Sequence, residues 1–284
     1  MNLPDTKVLI IGARGMLGSD LALVFEDAGE LVLWDKEEID VTKELEVVEK
    51  INNLSPQLVI NATGYTNVDG AEDNTEMAFK VNAEAVKYLV DSCKKLNTKI
   101  VHFSTEYVFD GNDSSGYNES ALPNPLNVYG ESKAAGEKYI LDYSRGCLVR
   151  TSWLYGHTPQ RGKPRGLNFV DTIIKLASEQ AEVKVVNDQY GKLTNTHDLA
   201  KAVHQLMIGD YQSGVYHLVN EGLTTWYNVA EEIFKLKSIF TPLVPISSQD
   251  FASKVKRPPY SVLINNKFPL LRLWTKALQD YLNY

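Results

Sequence analysis

Five short apolar runs mark the first half of the chain: Lys7–Ile11, Leu31–Trp34, Gln57–Asn61, Lys99–Phe103 and Cys147–Arg150. They are rich in Val, Ile and Leu at successive rather than alternate positions, the pattern of strands covered on both faces of a parallel sheet. Stretches with helical spacing separate them, over Met16–Ala28, Thr42–Asn53, Thr75–Leu96 and Tyr129–Tyr143. Strand and helix in alternation predict an α/β fold built on a doubly wound parallel sheet of Rossmann type. Beyond Arg150 the alternation loosens. Helices are expected at Asn168–Glu179, Thr196–Met207, Trp226–Leu236 and Trp274–Tyr281, and short strands at Val183–Val186 and Val215–Val219. The turn-rich stretch Asp110–Asn127 follows a strand, so it is expected above the sheet's ligand-binding edge.

Composition narrows the class without changing this picture. The chain has 284 residues, 44% of them hydrophobic and 23% charged, which suits a globular protein with a large core. A net charge of −7 argues against a broad nucleic-acid-binding surface. Cys93 and Cys147 lie in apolar segments without a Cys-x-x-Cys pattern and read as small core hydrophobes. The first residues lack the features of a secretory leader and no apolar run is long enough to span a membrane, so a cytoplasmic protein is expected.

The run VLIIGARGMLG carries the first chemical signal. Gly12, Gly15 and Gly18 fall directly after the first strand, and Gly15, Met16, Leu17 and Gly18 open the first helix. Glycines at such a turn let the backbone approach a pyrophosphate that sits at the helix N-terminus, which predicts a dinucleotide site. Asp35 ends the second strand, where a carboxylate hydrogen-bonds the adenosine ribose and favours NADH. Arg14 and Lys36 pull the other way, since either can pair with a 2′-phosphate; NADPH and NADH both remain candidates, with NADPH modestly preferred. Asp40 and Val41, just beyond, are expected to border the adenine. The chain then divides into a dinucleotide-binding part, residues 1–155 with 183–222, and a smaller α+β part for the substrate, residues 156–182 with 223–284.

Tyr129 and Lys133 form a Tyr-x-x-x-Lys pair at the start of a helix, on one helical face. Ser104 and Thr105 end the fourth strand at the same sheet edge. An ammonium beside a phenol favours the phenolate, so the tyrosine can exchange a proton near neutral pH. A hydroxyl nearby can hold charge developing on a carbonyl oxygen.

Together these motifs resemble the extended short-chain dehydrogenase/reductase family, and within it the dTDP-4-dehydrorhamnose reductase branch. Supporting segments run over most of the chain, among them PQLVINATGYTNVDGAE (Pro56–Glu72), FSTEYVFDG (Phe103–Gly111), NPLNVYGESKAAGE (Asn124–Glu137), LVRTSWLYG (Leu148–Gly156) and RPPYSVL (Arg257–Leu263). The resemblance implies NAD(P)H-dependent reduction of the 4-keto group of a nucleotide-activated 6-deoxyhexose. It implies Thr105, Tyr129 and Lys133 as the catalytic triad and Gly64, Tyr65 and Thr66 beside the cofactor's diphosphate and ribose. Glu106 and Trp153 would touch the sugar nucleotide and Arg257 would close over it. It is compatible with a homodimer. Two alternatives share the fold: an epimerase or dehydratase, and a non-catalytic dinucleotide-binding subunit like the regulatory subunit of methionine adenosyltransferase. Dehydratases carry a second carboxylate where this chain has Tyr107. Glu106 itself replaces the family's Asp, one methylene shorter. Asp20 matches an acidic position through which some relatives bind magnesium, but His197 stands at another, and no metal is assigned. The basic stretch from His157 to Arg165 is expected to clamp the substrate's pyrophosphate.

Overall fold

The computed structural model describes residues 1–162 and 166–283. Five strands, β1 (Lys7–Ile11), β2 (Glu30–Trp34), β3 (Leu58–Asn61), β4 (Lys99–Thr105) and β5 (Gly146–Thr151), make a parallel sheet with a sixth, Gly214–His217. The order across the sheet is the sixth strand, β5, β4, β3, β1 and β2. The helices are α1 (Met16–Val24), α2 (Glu44–Leu54), α3 (Val68–Asp73), α4 (Thr75–Phe79), α5 (Ala85–Leu96), α6 (Val128–Leu141), α7 (Phe169–Glu179), α8 (Thr196–Ile208), α9 (Trp226–Lys237) and α10 (Trp274–Leu282).

The continuous apolar runs are explained by helices on both sides of the sheet. Val8, Ile10, Leu58, Ile60 and Val101 face Leu17 and Leu21 of α1 and Leu199 and Val203 of α8. Their neighbours Leu9, Ile11, Val59 and Ile100 face Val47 and Ile51 of α2 and Val86 and Leu89 of α5. Successive strand residues point to opposite faces, so both sets leave water, each such side chain contributing roughly 1.5–3 kcal/mol. Cys93 and Cys147 lie in these two cores as free thiols, each pushed up to about 12 by burial. The strand order reverses between β1 and β3, which opens a crevice at the carboxyl edge where the loops after β1, β2 and β3 diverge.

A second core joins Tyr155, Val170, Ile173, Val229, Ile233, Trp274 and Leu278. Here the structure departs from the expected division of the chain. Of residues 183–222, α8 and Gly214–His217 do pack on the main sheet, but Val183–Val186 pairs in parallel with Leu243–Ile246 and buries Val183 and Val185 in the second core. The segment Leu243–Ile246 gave no strand signal because Pro245 interrupts it. The stretch Asp110–Asn127 is held by its own small core: Phe109 stacks on Tyr117 at 4.2 Å and Tyr117 pairs with Leu263.

One helix differs in detail. Thr75–Leu96 is helical throughout, as its periodicity predicts, but the turn Lys80–Glu84 is wound as a π-helix. That extra residue turns Asn82 inward. Its side chain accepts from the Tyr65 N–H (2.8 Å) and donates to the Tyr65 carbonyl (3.1 Å) and Ser132 Oγ (2.9 Å), which fixes the loop after β3 against α6.

Candidate active site

The glycine turn has the geometry its spacing predicts. Gly12 adopts φ +81°, a left-handed conformation, and a Cβ there would come within 2.9 Å of the Ala62 carbonyl carbon. Gly18 packs against the Gly12 backbone so closely that any Cβ would clash with it. No side chain caps α1 at Gly15, so the first amides of Met16, Leu17 and Gly18 face the crevice uncapped. An uncapped helix start behind a turn with no room for side chains fits a dinucleotide pyrophosphate. Gly64, Tyr65 and Thr66 follow directly on Ala62 and Thr63, whose backbone is what a Cβ at Gly12 would meet. The Lys133 ammonium nitrogen approaches the Gly64 position, at 3.7 Å from where a Cβ would stand.

At the adenosine side Asp35 is buried at 7% exposure. It accepts hydrogen bonds from the Arg14 N–H (3.0 Å) and the Lys36 N–H (2.8 Å). The Arg14 guanidinium turns outward to Glu37 and Glu38. Asp40 makes a local turn, accepting from the Thr42 N–H and hydroxyl, which holds its carboxyl below the usual range, while Val41 packs against the core beneath α2. Of the cations in the basic stretch, Arg161 comes to this side of the crevice. Arg161 pairs with Asp35 at 3.0 Å; Lys163 and Arg165 lie outside the described residues.

The other end of the crevice gathers the proposed catalytic groups. Asn127 caps α6 by accepting from the Gly130 N–H at 2.9 Å and so sets the entry of the helix that carries Tyr129 and Lys133. Arg150 of β5 and Glu137 of α6 form a fully buried two-point ion pair, 2.9 and 2.6 Å, that locks this helix to the sheet. Thr105 Oγ1 donates to Glu106 at 2.8 Å. Tyr129 lies beside both. Burial first, then the Glu106 charge, raises its phenol above the ordinary value, and a hydrogen bond with Thr105 acts the other way. Its shift therefore has the opposite sign to the one expected from a neighbouring ammonium: burial and the Glu106 charge set it, and the Lys133 ammonium does not act on it. Lys133 is buried without an ion-pair partner among the described residues, and desolvation pulls it down to about 8. Glu106 is pushed up to about 7 by the same cause, against hydrogen bonds from Thr105 and the Trp153 indole.

Trp153 holds φ +47°, unusual for so large a residue, and stacks on Trp226 at 3.7 Å. Arg257 pairs with Asp69 of α3 at 2.9 Å and lies near enough to the Tyr107 phenol to act on its ionisation; the Tyr107 ring meets Tyr129 edge to face at 5.5 Å. Thr105, Glu106, Tyr129, Trp153 and, through Tyr107, Arg257 thus come together. Three contributors carried no independent sequence signal: Asn82, Tyr107 as the bridge to Arg257, and Trp226. For Asn82 the available clue was an amide on the inner face of an otherwise apolar helix stripe.

Comparisons with known proteins place the chain as a whole. The family described as RmlD substrate binding domain matches residues 6–284. A dTDP-4-dehydrorhamnose reductase of Aggregatibacter actinomycetemcomitans is 37% identical, covering 98% of this chain and 99% of that protein. The spore coat polysaccharide biosynthesis protein SpsK of Bacillus subtilis is 34% identical over 98% of this chain and 97% of its own length. A crystal structure of dTDP-4-dehydrorhamnose reductase from Bacillus anthracis in complex with NADP superposes with a TM-score of 0.91 at 32% identity, covering 98% of this chain and 99% of that one. With a match across nearly its whole length, this chain belongs to the RmlD substrate binding domain family.

Proposed function

We propose that this protein is an NADPH-dependent oxidoreductase that reduces the 4-keto group of dTDP-4-dehydrorhamnose to give dTDP-rhamnose. The observation that carries the reading is the gathering of Thr105, Glu106 and Tyr129 at one end of a crevice whose other end fits a dinucleotide, with Lys133 one helical turn beyond Tyr129 and its ammonium beside the Gly64 loop. Bound NADPH supplies the hydride. Tyr129 supplies the proton: a phenol held above its ordinary value is fully protonated at neutral pH, the state a proton donor needs. Thr105 hydrogen-bonds the same carbonyl oxygen and steadies the charge that develops there. Lys133 stabilises the phenolate that remains and orients the ribose. Glu106 and Trp153 border the sugar, and Arg257 closes over it from the α3 side.

Tyr107 weighs against elimination chemistry. Burial pushes its phenol up to about 12, so it offers no acid–base group in the working pH range where a dehydratase uses a second carboxylate. No helix among the described residues is long and apolar enough to cross a membrane. Nucleotide sugars and reduced dinucleotides are cytoplasmic metabolites, and there we place the reaction.

The test is oxidation of NADPH by purified protein supplied with dTDP-4-dehydrorhamnose. One NADPH consumed per dTDP-rhamnose formed is expected. Tight cofactor binding with no oxidation would overturn the enzymatic reading in favour of a regulatory dinucleotide-binding subunit.

A further inference from the structure

The acidic residue at the end of β2 sets a puzzle for a protein proposed to take NADPH. Asp35 is buried beside the position of the adenosine ribose, and an uncompensated carboxylate there repels a 2′-phosphate. The structure compensates it from a distant part of the chain. Arg161 Nη1 lies 3.0 Å from Asp35 Oδ1 and 3.8 Å from Glu37. Its side chain remains 45% exposed, and among the described residues Nη1 alone of its three nitrogens is engaged by an ion pair. Arg14 differs: both of its terminal nitrogens are spent on Glu37 and Glu38.

Arg161 is held where it is by its neighbours on both sides. The Gln160 N–H donates to the Gly166 carbonyl at 2.7 Å and closes the neck of the loop. Asn168 donates to the Gly156 carbonyl at 3.0 Å, and His157 stacks on Tyr281 at 4.3 Å. Gly162 packs onto the Thr66 side chain so tightly that a Cβ would not fit, which ties the loop to the segment after β3. The strap therefore crosses from the end of β2 to the end of β3 with a guanidinium at its crossing point.

We propose that Arg161 is the specificity-determining residue for the cofactor: it neutralises Asp35 and presents its free N–H groups to the 2′-phosphate, so the chain accepts NADPH in spite of the acid after β2. A planar guanidinium with unused donors suits a phosphate, whose oxygens it can bind in pairs. The inference rests on the reading that the crevice holds a nicotinamide dinucleotide.

Titration calorimetry with NADP⁺, NAD⁺, 2′,5′-ADP and 5′-AMP separates the possibilities without turnover. Arg161→Ala is expected to weaken NADP⁺ and 2′,5′-ADP by about tenfold or more, equivalent to about 1.4 kcal/mol. NAD⁺ and 5′-AMP should change by less than about twofold, because they lack the phosphate that Arg161 reads. Adding Asp35→Asn to Arg161→Ala should restore part of the NADP⁺ affinity, since it removes the charge left uncompensated. Equal weakening of all four ligands would make Arg161 a prop for the loop and overturn the proposal, as would unchanged NADP⁺ affinity or no recovery in the double variant. Wild-type protein that binds neither NADP⁺ nor NAD⁺ would instead overturn the dinucleotide reading itself.

Discussion

The two ends of the crevice hold charge in opposite ways. At the proposed reducing end Glu106 and Lys133 are buried, at 3% and 5% exposure, and neither has an ion-pair partner among the described residues. At the adenosine end Arg14, Glu37, Glu38 and Arg161 are substantially exposed, and every one is paired. Burying an unpaired charge is costly and is relieved by shifting protonation, which is what Glu106 and Lys133 show. Exposed pairs are worth little and exchange partners readily. The difference assigns the ends separate tasks: proton chemistry where ionisation is strained, ligand recognition where charges can swap partners.

The sharpest contrast comes from a third arrangement, buried and paired. Arg150 and Glu137 are both 2% exposed and satisfy each other at two points. Glu137→Ala strands the guanidinium and should destabilise the protein by about 3–5 kcal/mol in urea unfolding. A loss under about 1 kcal/mol would mean burial without a partner is cheap here, and the contrast between the ends would lose its basis.

The pH dependence of stability follows from the shifts. Glu106 rises from 4.5 to about 7 in the folded protein, so between those values the native state binds more protons than the unfolded chain. Its contribution is full below 4.5 and is lost as pH rises through 7. Lys133 falls from 10.5 to about 8, so stability recovers as pH rises from 8 to 10.5. Unfolding midpoints of the ligand-free protein should dip near pH 7–8, and Glu106→Gln should remove the acid-side slope, on the order of 3 kcal/mol at most. An unchanged slope in that variant would place the titration elsewhere.

Lys133→Met should abolish turnover while raising stability at pH 7, by roughly 1–3 kcal/mol, because it removes a buried charge without stranding a partner. A lower unfolding midpoint would show that Lys133 is structurally compensated after all. The smallest effect is expected at the exposed end. Asp35→Ala should move the ratio of kcat/KM for NADPH over NADH several-fold toward NADPH, as the carboxylate contact to a 2′-hydroxyl is lost and Arg161 Nη1 is released for the 2′-phosphate. Equal ratios in variant and wild type would mean Asp35 does not face the ribose.

How much of this was legible beforehand depended on the range of the interactions involved. The six-stranded sheet and most helices follow from local periodicity, and the glycine turn and Tyr129–Lys133 pair from local spacing. What was missed is non-local. Val183–Val186 pairs with a strand some sixty residues away, across a segment interrupted by Pro245. Arg161 meets Asp35 across 126 residues, so its charge could be read but its destination could not. The sign of the Tyr129 shift depends on how far the phenol is desolvated, a property of the assembled crevice. The π-turn that aims Asn82 looks like ordinary helix in sequence.

The central claim is that proton transfer belongs to Tyr129 and is separable from cofactor recognition. Single-turnover oxidation of bound NADPH, started by mixing saturated enzyme with dTDP-4-dehydrorhamnose, tests it directly in wild type and Tyr129→Phe. The variant should bind NADPH within about twofold of wild type yet transfer hydride at least about a hundredfold more slowly, the scale of a positioned general acid. A variant that keeps a third of the wild-type rate, or that loses NADPH binding along with it, would contradict the account.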